Sequence, residues 1–156
     1  MKKILLLLIT SFTLLLAEEQ TAKVVYDLTT KNIKAFELKI LKAIVANKAH
    51  YESKLKELDV TVVIHGGSYR YFTENPNNTE YKTDTALLAN YGEFKKRVKS
   101  MSETYDIEFL MCGAGMSKHG LQAKDIVKFV KIIPNSTIGL IDRQNEGYAY
   151  IPVGDK

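Results

Sequence analysis

Apolar residues along the chain fall into short blocks whose spacing switches between continuous and helical. Lys23 to Leu28 (KVVYDL) is β-branched and aromatic, as suits a strand. Thr29 and Thr30 can cap a helix behind it, because Ile33, Phe36, Ile40 and Ile44 follow at helical spacing. Val60 to Ile64 is a continuous apolar run stopped by His65-Gly66-Gly67, the pattern of a strand covered on both faces. A polar loop, Ser68 to Thr83, carries Pro76 and three asparagines. Leu87, Tyr91, Phe94, Val98 and Met101 then recur with the period of a helix and form the clearest one in the chain.

Tyr105 to Met111 predicts a third strand, stopped by Cys112-Gly113-Ala114-Gly115, and Met116 to His119 starts a short helix that Gly120 ends. Lys128 to Ile133 predicts a fourth strand before Pro134. Asn135 or Ser136 caps a helix to about Asn145, Gly147 ends it, and Tyr148 to Ile151 is the fifth strand. Strands that alternate with helices need crossover connections between parallel neighbours. The fold class is therefore α/β, a three-layer α/β/α sandwich around a five-stranded, mostly parallel sheet.

The first residues read as a leader. Met1-Lys2-Lys3 is basic, Ile4 to Leu16 is apolar, and Ala17 precedes the acidic pair Glu18-Glu19, the plan of a secretory signal peptide. Leu15 stands where a small residue is preferred, so cleavage after Ala17 is the expected site and its exact position stays open. The run is shorter than the about 20 residues of a membrane span, and no Cys follows it to carry a lipid. The expected division is a signal peptide over 1–17 and one domain over 18–156. The mature protein is expected to be periplasmic or secreted, with no stable membrane span.

The 156 residues make one domain by length, and the formal charge of +4 falls to +2 once the two leader lysines are removed. Lys and Glu are interspersed around residues 54–57 and 93–97, as on solvated helix faces, so no nucleic-acid partner is expected. A single cysteine excludes an internal disulfide, a CxxC pair and a Cys-based zinc site. Asn77-Asn78-Thr79 and Asn135-Ser136-Thr137 fit glycosylation sequons, the second being better explained as a helix cap.

Ligands of open parallel sheets collect beyond the carboxyl ends of the strands. Asp27, His65 and Cys112 all fall at such ends. In the common 2-1-3 strand order Asp27 would lie between the other two, with His65 and Cys112 two strand spacings apart, about 9–10 Å. Cys112 opens a strand-to-helix turn in which the amides of Gly113, Ala114 and Gly115 would favour an anion or a thiolate. It reads equally as a small buried residue. His65 reads as a proton donor or as a ring packed on the sheet, and Asp27 as a supporting acid or as a turn and cap residue. His119 reads as a helix-end residue. Gly66-Gly67-Ser68 lacks the lysine of a phosphate loop. Tyr69-Arg70-Tyr71-Phe72 reads as cover for the site or as a subunit contact.

Val62-Val63-Ile64-His65-Gly66, then Cys112-Gly113-Ala114 with Met116 and Gly120-Leu121, and finally Gln144-Asn145-Glu146-Gly147-Tyr148-Ala149-Tyr150-Ile151 carry a resemblance. In this order and spacing they resemble the DsrE/DsrF-like family over essentially the whole mature chain. The resemblance implies a five-stranded, largely parallel α/β fold and homo- or hetero-oligomers. It implies no metal and no organic cofactor. In sulfur-relay members the position that Cys112 matches carries sulfur as a persulfide.

Those relatives are cytoplasmic, whereas this chain carries an export signal and cannot serve tRNA. The leading expectation is a periplasmic sulfur-binding or sulfur-carrier protein in which Cys112 holds a persulfide, with His65 orienting or protonating the leaving sulfur. Its partners would be sulfur donor and acceptor proteins or small sulfane-sulfur compounds. The alternatives are a non-enzymatic small-anion-binding or assembly module, and a redox-linked subunit whose lone Cys pairs with a partner.

Overall fold

The computed structural model describes residues 21–155. The leader expected at 1–17 lies outside the described residues. Strands β1 (Ala22–Leu28), β2 (Leu58–Ile64), β3 (Glu108–Cys112), β4 (Lys131–Ile133) and β5 (Ala149–Val153) form one sheet in the order β4-β3-β2-β1-β5. Every neighbouring pair is parallel. The three-layer α/β expectation holds, and the 2-1-3 order does not. β2, with its continuous apolar run, takes the middle position, where both faces and both edges are covered.

The helices follow from that order. Residues 33–52 form one helix, α1, made of α-helix Ile33–Phe36, a π-helical stretch Glu37–Lys42 and α-helix Ala43–Glu52. Its cap is not Thr29 or Thr30 but Asn32, whose side chain accepts from the Ala35 amide at 3.1 Å. The Arg97 guanidinium donates to the Leu41 carbonyl inside the π-helical stretch. Helix α2 (Thr85–Glu103) buries the five predicted apolar positions and starts at Asp84, which accepts from the Leu87 amide. The short α3 (Gly113–Met116) and a 3-10 turn, Ser117–His119, follow β3 and stop at Gly120, whose φ of 60° is left-handed. Helix α4 (Ser136–Asn145) is capped by Asn135 and returns the chain to β5.

Two strand starts and one loop differ from the sequence expectation for local reasons. The third strand begins at Glu108 because Asp106 takes a left-handed turn, φ 51°. The fourth begins at Lys131, since Ile126 and Val127 are held in the core by a bridge to Thr73 and a bond to the Phe72 carbonyl. The segment from Ser68 to Thr83 is no solvated loop. Its 3-10 turns bury Tyr69, Tyr71, Phe72 and Tyr81.

Those aromatics build the main core, between the sheet and the face that carries α1 and α2. Phe36 stacks on Tyr71 with centroids 3.9 Å apart and meets Phe72 and Phe94 edge-on. The opposite face is thinner. Val25, Val63, Leu110 and Tyr148 pack there with Ile133 and Leu140 under α4, the one helix on that face among the described residues. A Cβ on Gly139 would stand 2.5 Å from Ile133 Cδ1, so a side chain there would push the end of Ile133 aside.

Phe36→Ala should therefore cost about 3–5 kcal/mol in urea unfolding, because it empties the centre of the aromatic cluster. Leu38→Ala, at a 47 % exposed position two residues on, should stay within about 0.5 kcal/mol. Equal effects from the two would refute this account of the core.

Candidate functional site

The register decides which side chains share a face. Val25, Val63 and Leu110 pack together beneath α4. Asp27, His65 and Cys112 each lie two residues further on, so the strand period puts them on that same face at the carboxyl edge of the sheet. With β2 between β1 and β3, His65 lies between Asp27 and Cys112. This corrects the sequence expectation, which had Asp27 in the middle.

His65 Nε2 lies 2.6 Å from Asp27 Oδ1, and Asp27 Oδ2 accepts from the Tyr150 hydroxyl at 2.5 Å. The ends of β2, β1 and β5 thus hold one connected chain, Tyr150 to Asp27 to His65. The His65 bond is the main cause that lowers the Asp27 carboxyl below its usual range. Burial opposes it, and the Tyr150 bond assists.

Cys112 is buried, with 7 % of its surface exposed, yet its sulfur does not face hydrocarbon alone. Burial pushes the thiol up. The Ser136 amide, the Tyr69 hydroxyl, the Gly115 amide and the Ser136 hydroxyl pull it the other way, and the net direction is downward. The Tyr69 proton is committed at 2.6 Å to the Cys112 carbonyl, so the amides and Ser136 are the donors left for the sulfur. His119, held by Glu80 at 2.7 Å, rests its ring 4.9 Å from that of Tyr69.

The three turn residues divide their roles. The Gly115 amide serves the sulfur, whereas the Ala114 amide donates to the Pro134 carbonyl at 3.1 Å. Gly113 and Gly115 are needed for close approach. A Cβ on Gly113 would meet the Ile133 carbonyl at 2.9 Å, and one on Gly115 would meet the Tyr69 hydroxyl at 2.3 Å. Ser136, Tyr69 and Tyr150 enter the site without a sequence signal for the role. Ser136 read as a helix cap, Tyr69 as cover and Tyr150 as part of a strand. Among the described residues no group of three or more His, Cys, Asp or Glu side chains is placed to hold a metal ion.

A thiolate at this position would be favoured by the first turn of α4, a ten-residue helix whose N-terminus carries positive dipole charge. Ser136→Pro removes both Ser136 donors at a helix position that tolerates proline, behind an extended Asn135. It should raise the thiol pKa, measured by the pH dependence of iodoacetamide alkylation, and Ser136→Ala should raise it less. An unchanged midpoint in the proline variant would remove the helix from the argument.

Asp27 gives a second pH signature. A carboxyl with a lowered folded pKa stabilises the fold above its unfolded value of 3.8, and that stabilisation is lost as pH falls through the folded pKa. In His65→Ala the Asp27 midpoint, followed by carboxyl NMR, should move up. A midpoint that stays in place would show that His65 is not the main cause.

The comparisons fit this description. The chain is 28 % identical over 108 residues to an uncharacterized protein of Aquifex aeolicus (strain VF5), across 64 % of this chain. It spans about half, 47 %, of that relative's length. A solved structure, the protein of unknown function MTH1491 from Methanobacterium thermoautotrophicum, superposes with a TM-score of 0.53 at 18 % identity, over 84 % of this chain and 98 % of the other. That likeness supports the fold alone. The family model DsrE/DsrF-like matches residues 23–153, which take in every strand and the whole site, and the chain belongs to the DsrE/DsrF-like family.

Proposed function

We propose that the protein is an exported sulfur carrier that holds a persulfide on Cys112. The observation that carries this reading is the placement of the thiol: a buried cysteine at the carboxyl end of β3, at the turn that opens α3 and next to the start of α4, where donors of Ser136 and Gly115 lower its pKa against the effect of burial. A structural cysteine needs no such donors. Membership of a family implicated in sulfur relay points the same way.

The chemistry is thiol exchange. The Cys112 thiolate attacks the outer sulfur of a donor persulfide or polysulfide, the donor S–S bond breaks, and the donor thiolate leaves. The product, Cys112-S-SH, keeps its terminal sulfur until an acceptor thiolate attacks that atom and returns Cys112 to the thiolate. No net oxidation occurs, and the proton moves with the leaving thiol. His65, fixed by Asp27 and Tyr150, is the group of this face that supplies or takes that proton. The small opening at Cys112 favours small sulfane compounds over bulky reagents.

The exported location rests on the leader pattern at 1–17. Assembly into oligomers belongs to the same proposal and draws on exposed apolar residues, Ile138 and Ile141 of α4 and Tyr150 and Ile151 of the edge strand β5. The anion-module alternative is weakened because the Ala114 amide is already spent on Pro134.

Mass spectrometry after exposure to polysulfide should find added sulfur on Cys112, none in Cys112→Ser, and its loss to a small acceptor thiol. No added sulfur under conditions that load a control persulfide carrier would defeat the proposal. A reductant-sensitive mixed disulfide in cell extracts would favour the redox-subunit alternative.

A further inference from the structure

The contacts of His65 fix more than its position. The 2.6 Å contact with Asp27 is made by Nε2, and Asp27 receives a bond on each oxygen, from His65 on Oδ1 and from the Tyr150 hydroxyl on Oδ2 at 2.5 Å. Both bonds favour the ionised carboxyl, and a carboxylate only accepts. The proton of the shared bond therefore sits on Nε2. In a neutral imidazole that leaves Nδ1 as the bare nitrogen, on a side chain 28 % exposed.

Strand order sets the direction of the ring. The two nitrogens of an imidazole lie on opposite sides of its Cβ–Cγ axis. Nε2 is turned to β1, where Asp27 stands, so Nδ1 is turned to the β3 side. His65 has extended backbone, φ −159°, and its amide donates to the Leu28 carbonyl at 3.0 Å, so the strand runs on past Ile64. Ile64 pairs with Met111, which puts His65 beside Cys112 on the neighbouring strand, about 5 Å away at the backbone.

The groups of Ser136 and Gly115 that bear on the Cys112 sulfur are hydrogen-bond donors. They suit a thiolate. An incoming S–H group brings a proton of its own, and Nδ1 is the acceptor that this arrangement offers it.

We propose that Asp27 and Tyr150 are positioning residues that hold His65 in the tautomer protonated on Nε2, so that Nδ1 serves the Cys112 side as a proton acceptor. The inference deepens the sulfur-carrier reading and rests on it for the sulfur step. It names the donor class as a hydropersulfide, R–S–S–H. The Cys112 thiolate bonds to the outer sulfur, the donor S–S bond breaks, and the donor thiolate leaves. Nδ1 takes the proton of the outer sulfur and passes it to that thiolate. Cys112 keeps the ionised persulfide, the donor departs as a neutral thiol, and neither total charge nor oxidation level changes. The other tautomer would set one more donor beside the sulfur and leave this proton without a carrier.

Long-range ¹H–¹⁵N correlations of the imidazole, taken where the ring is neutral, read the tautomer directly. The His65 signals are assigned by their absence in His65→Gln. The wild type should show Nε2 protonated and Nδ1 bare. In Asp27→Asn the Tyr150 hydroxyl holds the amide oxygen and turns the amide NH₂ toward His65, so the tautomer should invert. Adding Tyr150→Phe frees that amide to turn back, and the share of Nε2–H should recover.

Asp27→Asn should also slow the loading of Cys112 by cysteine hydropersulfide about 100-fold. Its reaction with methyl methanethiolsulfonate, whose sulfinate leaves without a proton, should stay within about twofold of the wild type. A protonated Nδ1 in the wild type, or an unchanged tautomer in Asp27→Asn, would overturn the assignment. Equal slowing of both reagents would overturn the proton role, since it would mean that the site had merely been distorted. If Asp27→Asn does not fold, the wild-type spectrum decides by itself. Absence of loading in the wild type would defeat the carrier reading, whereas the tautomer stands or falls on its own spectrum.

Discussion

A parallel strand reaches its parallel neighbour only through a crossover, and the right-handed preference then fixes the face on which that crossover lies. Here β1, β2, β3 and β4 step across the sheet in one direction, so α1 and α2 are driven to one face. The last step reverses, from β4 at one edge to β5 at the other, and its helix must cross the opposite face. Among the described residues that face has only α4 to cover it. Its carboxyl edge, with Asp27, His65 and Cys112, is left open to chemistry beside the N-terminus of the one helix that passes.

The same reversal sets the electrostatics. A buried thiol is ordinarily harder to ionise, because burial disfavours the charged form. Cys112 is pulled the other way because α4 starts directly after β4, whose end pairs with that of β3, so the helix opens next to the thiol. At Gly139 the helix comes near enough that a Cβ would displace the end of the Ile133 side chain. At its other end the helix is held by Arg143, which pairs with Glu108 at the start of β3 and lies 5.4 Å over the Tyr148 ring. Position, glycine and anchor act on the same distance.

Much of this was legible beforehand where a single period governs a segment. The five apolar positions of α2 and the continuous run of β2 were both realised, because each element buries the face its spacing defines. The strand ends were legible too, since His65-Gly66 and Cys112-Gly113 mark where apolar runs stop. The Ser68 to Thr83 segment was not. Apart from the buried Ser68 and Thr73, its polar residues lie on turns whose aromatic side chains point into the core, and no strand or helix period describes 3-10 turns. Strand order was hidden because it is a property of pairing between segments far apart in the chain. With it went the contact between His65 and Asp27 and the participation of Ser136, Tyr69 and Tyr150, each supplied by an element remote in sequence.

β5 explains why the two faces can act separately. Tyr150 projects toward the thiol face, where its hydroxyl holds Asp27. Three residues later the Val153 carbonyl accepts from the Thr29 and Thr30 amides at 3.0 and 3.1 Å and fixes the turn that opens α1. Pro152, between the two contacts, is tolerated because β5 is an edge strand. The sheet therefore carries the load at β5, which holds Asp27 on one face and the turn that opens α1 on the other.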